Sequence, residues 1–292
     1  MLIRKGDKGE EVRQIQRELD IEADGIFGPV TESAVMRFQA ESTLEIDGIV
    51  GPKTWAELFG LTTDIQESLD SQHGIVINHH ILPKGEYLKG PTKKDWLFLH
   101  HTAGWHNPYR TIDHWGRDSR GRIATEFVLG GPSIFNDEFK YDGEIVKCIP
   151  DGGYAWHLGR NGFQEMHTNS VGIEVCNFGY LKNGKTYAGH TVHPDHCVEL
   201  AKEFKGYKNW HRYSDVQIES LRKLILFIAD RDNIDVREGL PALIKEKGAD
   251  AFEWNREAYY GHVRGLLSHS NTNKGKSDMF PQEELLTMLT EL

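Results

Sequence analysis

The sequence has no apolar run near the ~18 residues that a membrane-spanning helix needs, so insertion into a bilayer is not expected. Its opening, Met1-Leu-Ile-Arg-Lys-Gly-Asp-Lys, places charges where a secretion signal needs an unbroken apolar stretch, and the expectation is a chain without one. Cysteine is scarce. Cys148, Cys176 and Cys197 are an odd number without CxxC spacing, which argues against a disulfide framework and a thiolate metal cluster and leaves reduced, buried thiols. Positive charge is in deficit as well. With 34 Lys and Arg against 44 Asp and Glu, the net charge is −10 and no basic stripe exists, so the phosphates of a nucleic acid would be repelled.

What the sequence does contain is length and a repeat. Its 292 residues exceed the ~100 to 200 usual for one domain, which predicts two. The stretch Asp24-Gly-Ile-Phe-Gly-Pro-Val-Thr31 recurs 23 positions later as Asp47-Gly-Ile-Val-Gly-Pro-Lys-Thr54. Gly25, Gly28, Gly48 and Gly51 suit the turn dihedrals of a loop, and Pro29 and Pro52 stand where helices begin. Val12, Ile15 and Leu19 before the first copy, and Ala34, Val35 and Phe38 between the copies, recur at helical spacing. Three short helices around one small core follow from this pattern. Residues 61–74 are polar and aperiodic, as a linker is, and from residue 75 the composition becomes strand-like.

In the second half, Lys94-Asp-Trp-Leu-Phe-Leu-His-His-Thr-Ala-Gly104 reads as a buried strand ending in a loop. Side chains alternate faces along a strand, so His100 and His101 point opposite ways and only one enters a pocket. Val171-Gly-Ile-Glu-Val-Cys176 is an apolar strand interrupted by a single acid, Glu174, which needs either a partner or a function. His269 and Asp278 read separately as a loop histidine and a helix-start residue before Pro281-Gln-Glu-Glu-Leu-Leu286. The run Asp215–Ile228 is amphipathic at helical spacing, and alternating strands and helices predict a mixed sheet covered by helices.

Residues 3–58, with both DGxxGPxT loops, resemble the peptidoglycan-binding domain found at one end of many cell-wall hydrolases. The strand-end His100-His101, Ala155-Trp-His-Leu-Gly159, Asn169-Ser-Val-Gly-Ile-Glu-Val175 and His269-Ser-Asn-Thr-Asn-Lys-Gly-Lys-Ser-Asp278 together resemble the zinc amidases of phage lysins, their bacterial relatives and the animal peptidoglycan recognition proteins. The resemblance implies an all-α three-helix binding domain at 1–60, a linker at 61–74 and an α/β amidase domain with a central mixed sheet at 75–292. It implies zinc held by His100, His269 and Asp278, which are nitrogen and oxygen donors leaving a fourth position for water. Glu174 takes the family position of the general base and Lys276 that of the oxyanion stabiliser. His157 is a candidate substrate contact. Thr125, within Ile123-Ala-Thr-Glu-Phe127, replaces a tyrosine common in the family, and it and Glu126, a second candidate acid, are taken with His157 as substrate contacts in the cleft.

The activity implied is hydrolysis of the amide between N-acetylmuramic acid and L-alanine in bacterial peptidoglycan by a monomer, in the setting of a phage endolysin held in the host cytoplasm until release. A zinc peptidase of the stem peptide and a non-catalytic recognition protein are the alternatives. A rival metal set, His190-Thr-Val-His-Pro-Asp-His-Cys197, lies in an apparent insertion at 181–210 whose spacing matches no common zinc motif, and His79-His80 is a weaker one.

Overall fold

Each copy of the repeated loop closes on a buried glutamine upstream of it. Gln16 Nε2 lies 2.7 Å from Asp24 Oδ1, 3.1 Å from the Ile26 carbonyl and 2.9 Å from Thr31 Oγ1, while its Oε1 accepts from the Gly25 amide at 2.8 Å. Gln39 repeats the set with Asp47, Ile49, Thr54 and Gly48 at 2.8, 3.0, 3.1 and 2.9 Å. One side chain thereby satisfies backbone groups that the turn would otherwise bury unpaired. Of the four loop glycines only Gly25 and Gly48 take positive φ, +77° and +69°, where a β-carbon is disfavoured. Gly28 and Gly51 are instead extended N-caps, a correction to the expectation that all four glycines take turn dihedrals.

The computed structural model describes residues 3–42, 44, 46–59, 73–91, 93–135, 138–159 and 164–292. Helices α1 (Glu10–Glu18), α2 (Pro29–Glu41) and α3 (Pro52–Leu58) enclose a core of Ile3, Val12, Ile15, Phe27, Val35 and Trp55. That core does not end with the bundle. Ile81, from beyond the expected linker, is buried in it, and Gln14 Nε2 lies 3.1 Å from His80 Nδ1, whose Nε2 is 2.7 Å from Asp113 Oδ1. Apart from His73 and Gly74, the expected linker falls outside the described residues.

The second domain is built on strands β1 (Ile77–His79), β2 (Leu88–Lys89), β3 (Trp96–His101), β4 (Phe127–Leu129), β5 (Ile145–Lys147), β6 (Gly153–Tyr154), β7 (Ser170–Val175), β8 (Cys197–Phe204), β9 (Tyr207–His211) and β10 (Gly265–Ser268). The main sheet runs β1-β5-β4-β7-β3-β10, with β4 and β5 antiparallel and the other neighbours parallel. One face packs Leu97, Leu99, Val171 and Ile173 against the helix Asp215–Asp232, which buries Leu221, Leu224, Ile225 and Ile228. Ser214 and Gln217 form a capping box that fixes where this helix starts. On the opposite face, Ile112 of the helix Pro108–Trp115 packs on Val128 and Val146. The protein therefore has the expected two-part architecture, a helical bundle and a mixed sheet flanked by helices. Among the described residues no helix is long and apolar enough to cross a membrane.

The 181–210 insertion becomes the antiparallel hairpin β8–β9, turned by Lys205 and Gly206 at φ +51° and +81°. Its Trp210 is fully buried and stacks on Phe280 at 4.5 Å, so the hairpin is fastened to the main core. Burying a ring of this size stabilises the fold by about 3 kcal/mol.

Candidate metal centre

In parallel strands, residues in register lie side by side at one level of the sheet. His100 is opposite Glu174 in β7, and Leu99 is opposite Ser268, the last residue of β10, so His100, Glu174 and His269 cluster at the carboxyl ends of three adjacent strands. Ligand sites in open α/β sheets form at such ends. His101 points to the other face, as alternation requires, with its Nδ1 2.9 Å from the Tyr213 hydroxyl.

The chain returns to this point through a pinned loop. Ser268 Oγ donates to the Asp278 carbonyl at 2.8 Å and accepts from the Met279 amide at 2.8 Å, and the Ser270 amide donates to the same carbonyl at 3.0 Å. These bonds hold the Asp278 carboxylate over the two imidazoles. His100 Nδ1 to His269 Nδ1 is 3.0 Å, His269 Nδ1 to Asp278 Oδ2 is 2.9 Å and His100 Nδ1 to Asp278 Oδ2 is 3.4 Å. A tetrahedral ion with bonds of ~2.0–2.1 Å has edges of ~3.3 Å, so the three atoms are spaced to share one small divalent cation. Among the described residues they form the grouping of side chains that could hold a metal.

The protonation states suit that role. Burial, reinforced by His269, pushes His100 down to about 4, which keeps its imidazole neutral. Burial alone would raise Asp278, but His269, together with hydrogen bonds from His100 and His269, holds its carboxyl well below the usual range. A neutral imidazole, as at His100, and an ionised carboxylate, as at Asp278, are forms that bind a metal. Glu174 is pushed up to about 8 by burial, with Asp278 adding to the effect and Lys276 opposing it.

His157 stands behind the first ligand. Its Nδ1 lies 3.0 Å from His100 Nε2 and its Nε2 lies 2.7 Å from Ser170 Oγ. With His100 Nδ1 facing the metal position, the proton sits on Nε2 and is donated to His157, so this chain fixes the ligand's tautomer and ring angle. His157 also lines the cleft with Lys276. Two adjoining cavities of about 330 and 600 Å³ share Arg120, Ile123, His157, His269 and Lys276 and make one groove.

Two expected cleft residues do not line this groove. Thr125 is buried and donates from Oγ1 to the Phe127 carbonyl at 2.9 Å. Glu126 turns into a buried ion cluster, 2.6 Å from Arg231 Nη1 and 3.5 Å from Lys147 Nζ. The rival histidines do not converge either. His193 Nδ1 accepts from the Asp195 amide at 3.3 Å, and its ring lies 6.2 Å from that of His196. His80 is engaged between Gln14 and Asp113.

Sequence reasoning missed Trp115 and Arg120 on the groove wall, and it missed Ser170 and Ser268 behind the ligands. Ser268 directly precedes His269, the one positional hint available.

The family model of N-acetylmuramoyl-L-alanine amidase matches residues 90–278, and that of a putative peptidoglycan binding domain matches residues 8–58. Among solved structures, a peptidoglycan-binding protein from Clostridioides difficile in complex with glutamine hydroxamate is 41% identical, over 20% of this chain and 40% of its own, with a TM-score of 0.20. A Burkholderia AP3 phage endolysin is 34% identical, over 26% of this chain and 34% of its own, with a TM-score of 0.20. The chain thus spans less than half the length of either relative. The catalytic domain of XlyA is 12% identical over 70% of this chain and 90% of its own, with a TM-score of 0.38. No curated protein matches.

Proposed function

The chain belongs to the N-acetylmuramoyl-L-alanine amidase family, and from that premise we propose that it hydrolyses the amide joining N-acetylmuramic acid to L-alanine in bacterial peptidoglycan. The observation that carries the reading is the spacing of His100 Nδ1, His269 Nδ1 and Asp278 Oδ2, which lie 2.9 to 3.4 Å apart in the groove. We take the ion to be zinc, since two histidines and one carboxylate are a common zinc donor set. Zinc supplies an activated water and a Lewis acid for the carbonyl.

The chain's own residues supply the rest. In its ionised form, Glu174 accepts the proton of the attacking water and returns it to the departing L-alanine nitrogen, so activity should rise with pH toward the raised range of this carboxyl, about 8. Lys276 offers its ammonium to the oxygen that gains charge as the carbonyl carbon becomes tetrahedral. His157 holds His100 at a fixed angle through the two rings. The carbon–nitrogen bond breaks, leaving a lactyl carboxylate on the sugar and a free amine on the peptide. Residues 1–60 would keep the enzyme on its insoluble substrate by raising local concentration. The pairing of a wall-binding domain with this hydrolase supports an endolysin's role, with release from the cytoplasm as the controlling step.

The test is digestion of purified wall. New N-terminal L-alanine should appear while the glycan chains stay intact, and Glu174→Ala protein, shown to be folded, should release at least about 100-fold less. New amino groups inside the stem peptide, with every peptide still on its sugar, would replace this reading with a peptidase.

A further inference from the structure

Beyond the metal groove, the strand-end loop leads into a second feature. Thr102 and Ala103 line the groove, and Trp105 follows two residues later, within about 7 Å of Ala103 by chain geometry. Trp105 is held from both sides, because the Gly104 amide donates to the Asn177 carbonyl at 3.1 Å and the His106 carbonyl accepts from the Gly131 amide at 3.1 Å. Its ring centroid lies 4.9 Å from His190, 5.2 Å from Phe178 and 6.1 Å from Phe135, and Tyr187 lies 6.4 Å from Phe178. Phe178 is buried over a small apolar cluster with Ile134, Leu181 and Val192, whereas Trp105, Phe135 and Tyr187 are 39%, 50% and 65% exposed. The insertion at 181–210 supplies His190 and Tyr187, so it builds this face as well as the hairpin.

Scattered exposed rings need no explanation, but contiguous rings on a rigid base beside a groove mark a binding surface. We propose that Trp105, Phe135, Tyr187 and His190 form a glycan-stacking subsite that takes N-acetylhexosamine rings of the strand leaving the metal groove. The inference rests on the hydrolase reading for the substrate's polymeric nature. Two observations select sugar over stem peptide as the occupant. Among the described residues, the cavity of about 520 Å³ between Phe135 and the Gly189–Pro194 stretch is lined by no Lys, Arg, Asp or Glu, so the carboxylates and amine of a stem peptide would meet no full counter-charge on those walls. Aromatic faces, negative at the centre, instead match the C–H faces of uncharged pyranose rings. Continuity with the groove gives the direction, since a sugar at the cleaved bond must be followed by its neighbours along one rim.

Two measurements on the full chain test this. In the first, chitotetraose, which has sugar rings and no peptide, is titrated while the indole N–H signals are followed, with Trp105 identified by its loss in Trp105→Phe. The Trp105 signal should move, and a free stem peptide should leave it in place. In the second, kcat/KM is compared between a muramyl peptide lacking flanking sugars and a tetrasaccharide bearing the same peptide. Trp105→Ala and Tyr187→Ser should each lower the long-over-short ratio by about tenfold, chiefly through KM, the scale of one stacking contact. Tyr187 is the more exposed ring, so its variant guards against loss of folding. A ratio unchanged in both variants, or a Trp105 signal that follows the peptide, overturns the subsite. A wild-type chain that cleaves neither substrate sinks the hydrolase reading instead, and the chitotetraose titration then decides the subsite alone.

Discussion

Replacing Glu126 by glutamine separates two roles open to a carboxylate just before β4, proton donor or structural counter-ion. In the fold its Oε1 lies 2.6 Å from Arg231 Nη1 and 3.5 Å from Lys147 Nζ, both little exposed. Asp151 contacts both cations, and Asp232 lies 2.6 Å from Arg231 Nη2. Removing the sole partner of a buried cation costs about 3–5 kcal/mol. Here two carboxylates remain for two cations, so the loss is nearer that of one charge-assisted hydrogen bond, about 2 kcal/mol. In a domain of this size that lowers the melting midpoint by about 4–8 °C. Circular dichroism gives the midpoint, and release of L-alanine amino groups per folded molecule gives the activity. The structure predicts a lower midpoint with turnover within about twofold of the parent, because Glu126 moves no proton. An unmoved midpoint with turnover down about 100-fold or more would show that Glu126 is an acid of the groove and that the ion-cluster argument is wrong.

Four further outcomes follow from other sites. Gln39→Ala removes the contacts to Gly48, Ile49 and Thr54 and should cost about 2–3 kcal/mol in urea unfolding of the first domain, whereas a loss within error would mean the loop holds itself. Dialysis against a chelator should abolish hydrolysis and zinc should restore it, and His269→Ala protein should retain less than one zinc per chain by elemental analysis. Full activity in chelator refutes the metal reading. Burial, with His196 adding, pushes His211 down to about 3, below its unfolded value of ~6.5, so the unfolded chain binds this proton first and stability is lost as pH falls through that window. His211→Asn keeps an acceptor for the Phe178 amide and should flatten the decline by up to about 1.4 kcal/mol per pH unit, and parallel urea curves for both proteins would refute this. Ser170→Ala should leave His157 Nε2 unpaired and lower zinc affinity by about tenfold, measured by competition with a chelating dye.

Local pattern carried much of this fold. The repeated loop marked the first domain, and alternation along Trp96–His101 assigned opposite faces to the two histidines. Helical spacing placed Asp215–Ile228 within the helix that now runs to Asp232. What stayed hidden depends on distant pairing. Gln16 and Gln39 lie outside the loop motif, and although they share its 23-residue spacing, a polar residue on a helix gives no sign from sequence that it is buried under the loop. The partner of Glu126 is 105 residues away, and that of His101 is 112 away. Until Arg231 is folded against it, an acid beside an apolar strand reads equally as a catalyst or a counter-ion. The converging ligands needed the resemblance because His269 and Asp278, taken separately, have ordinary explanations.

Ile81 closes the core of the bundle while His80 joins Gln14 to Asp113. A catalytic unit on a slack tether sweeps a volume that grows with the tether. One that shares an apolar core with its anchor has no such freedom, because separating the two exposes a buried isoleucine to water. With the bundle seated on the wall, the groove would act as a gauge of fixed length, meeting bonds at a set offset from the seat. Further cuts would then require the seat itself to let go, so dissociation of the anchor would pace the enzyme's progress along the wall.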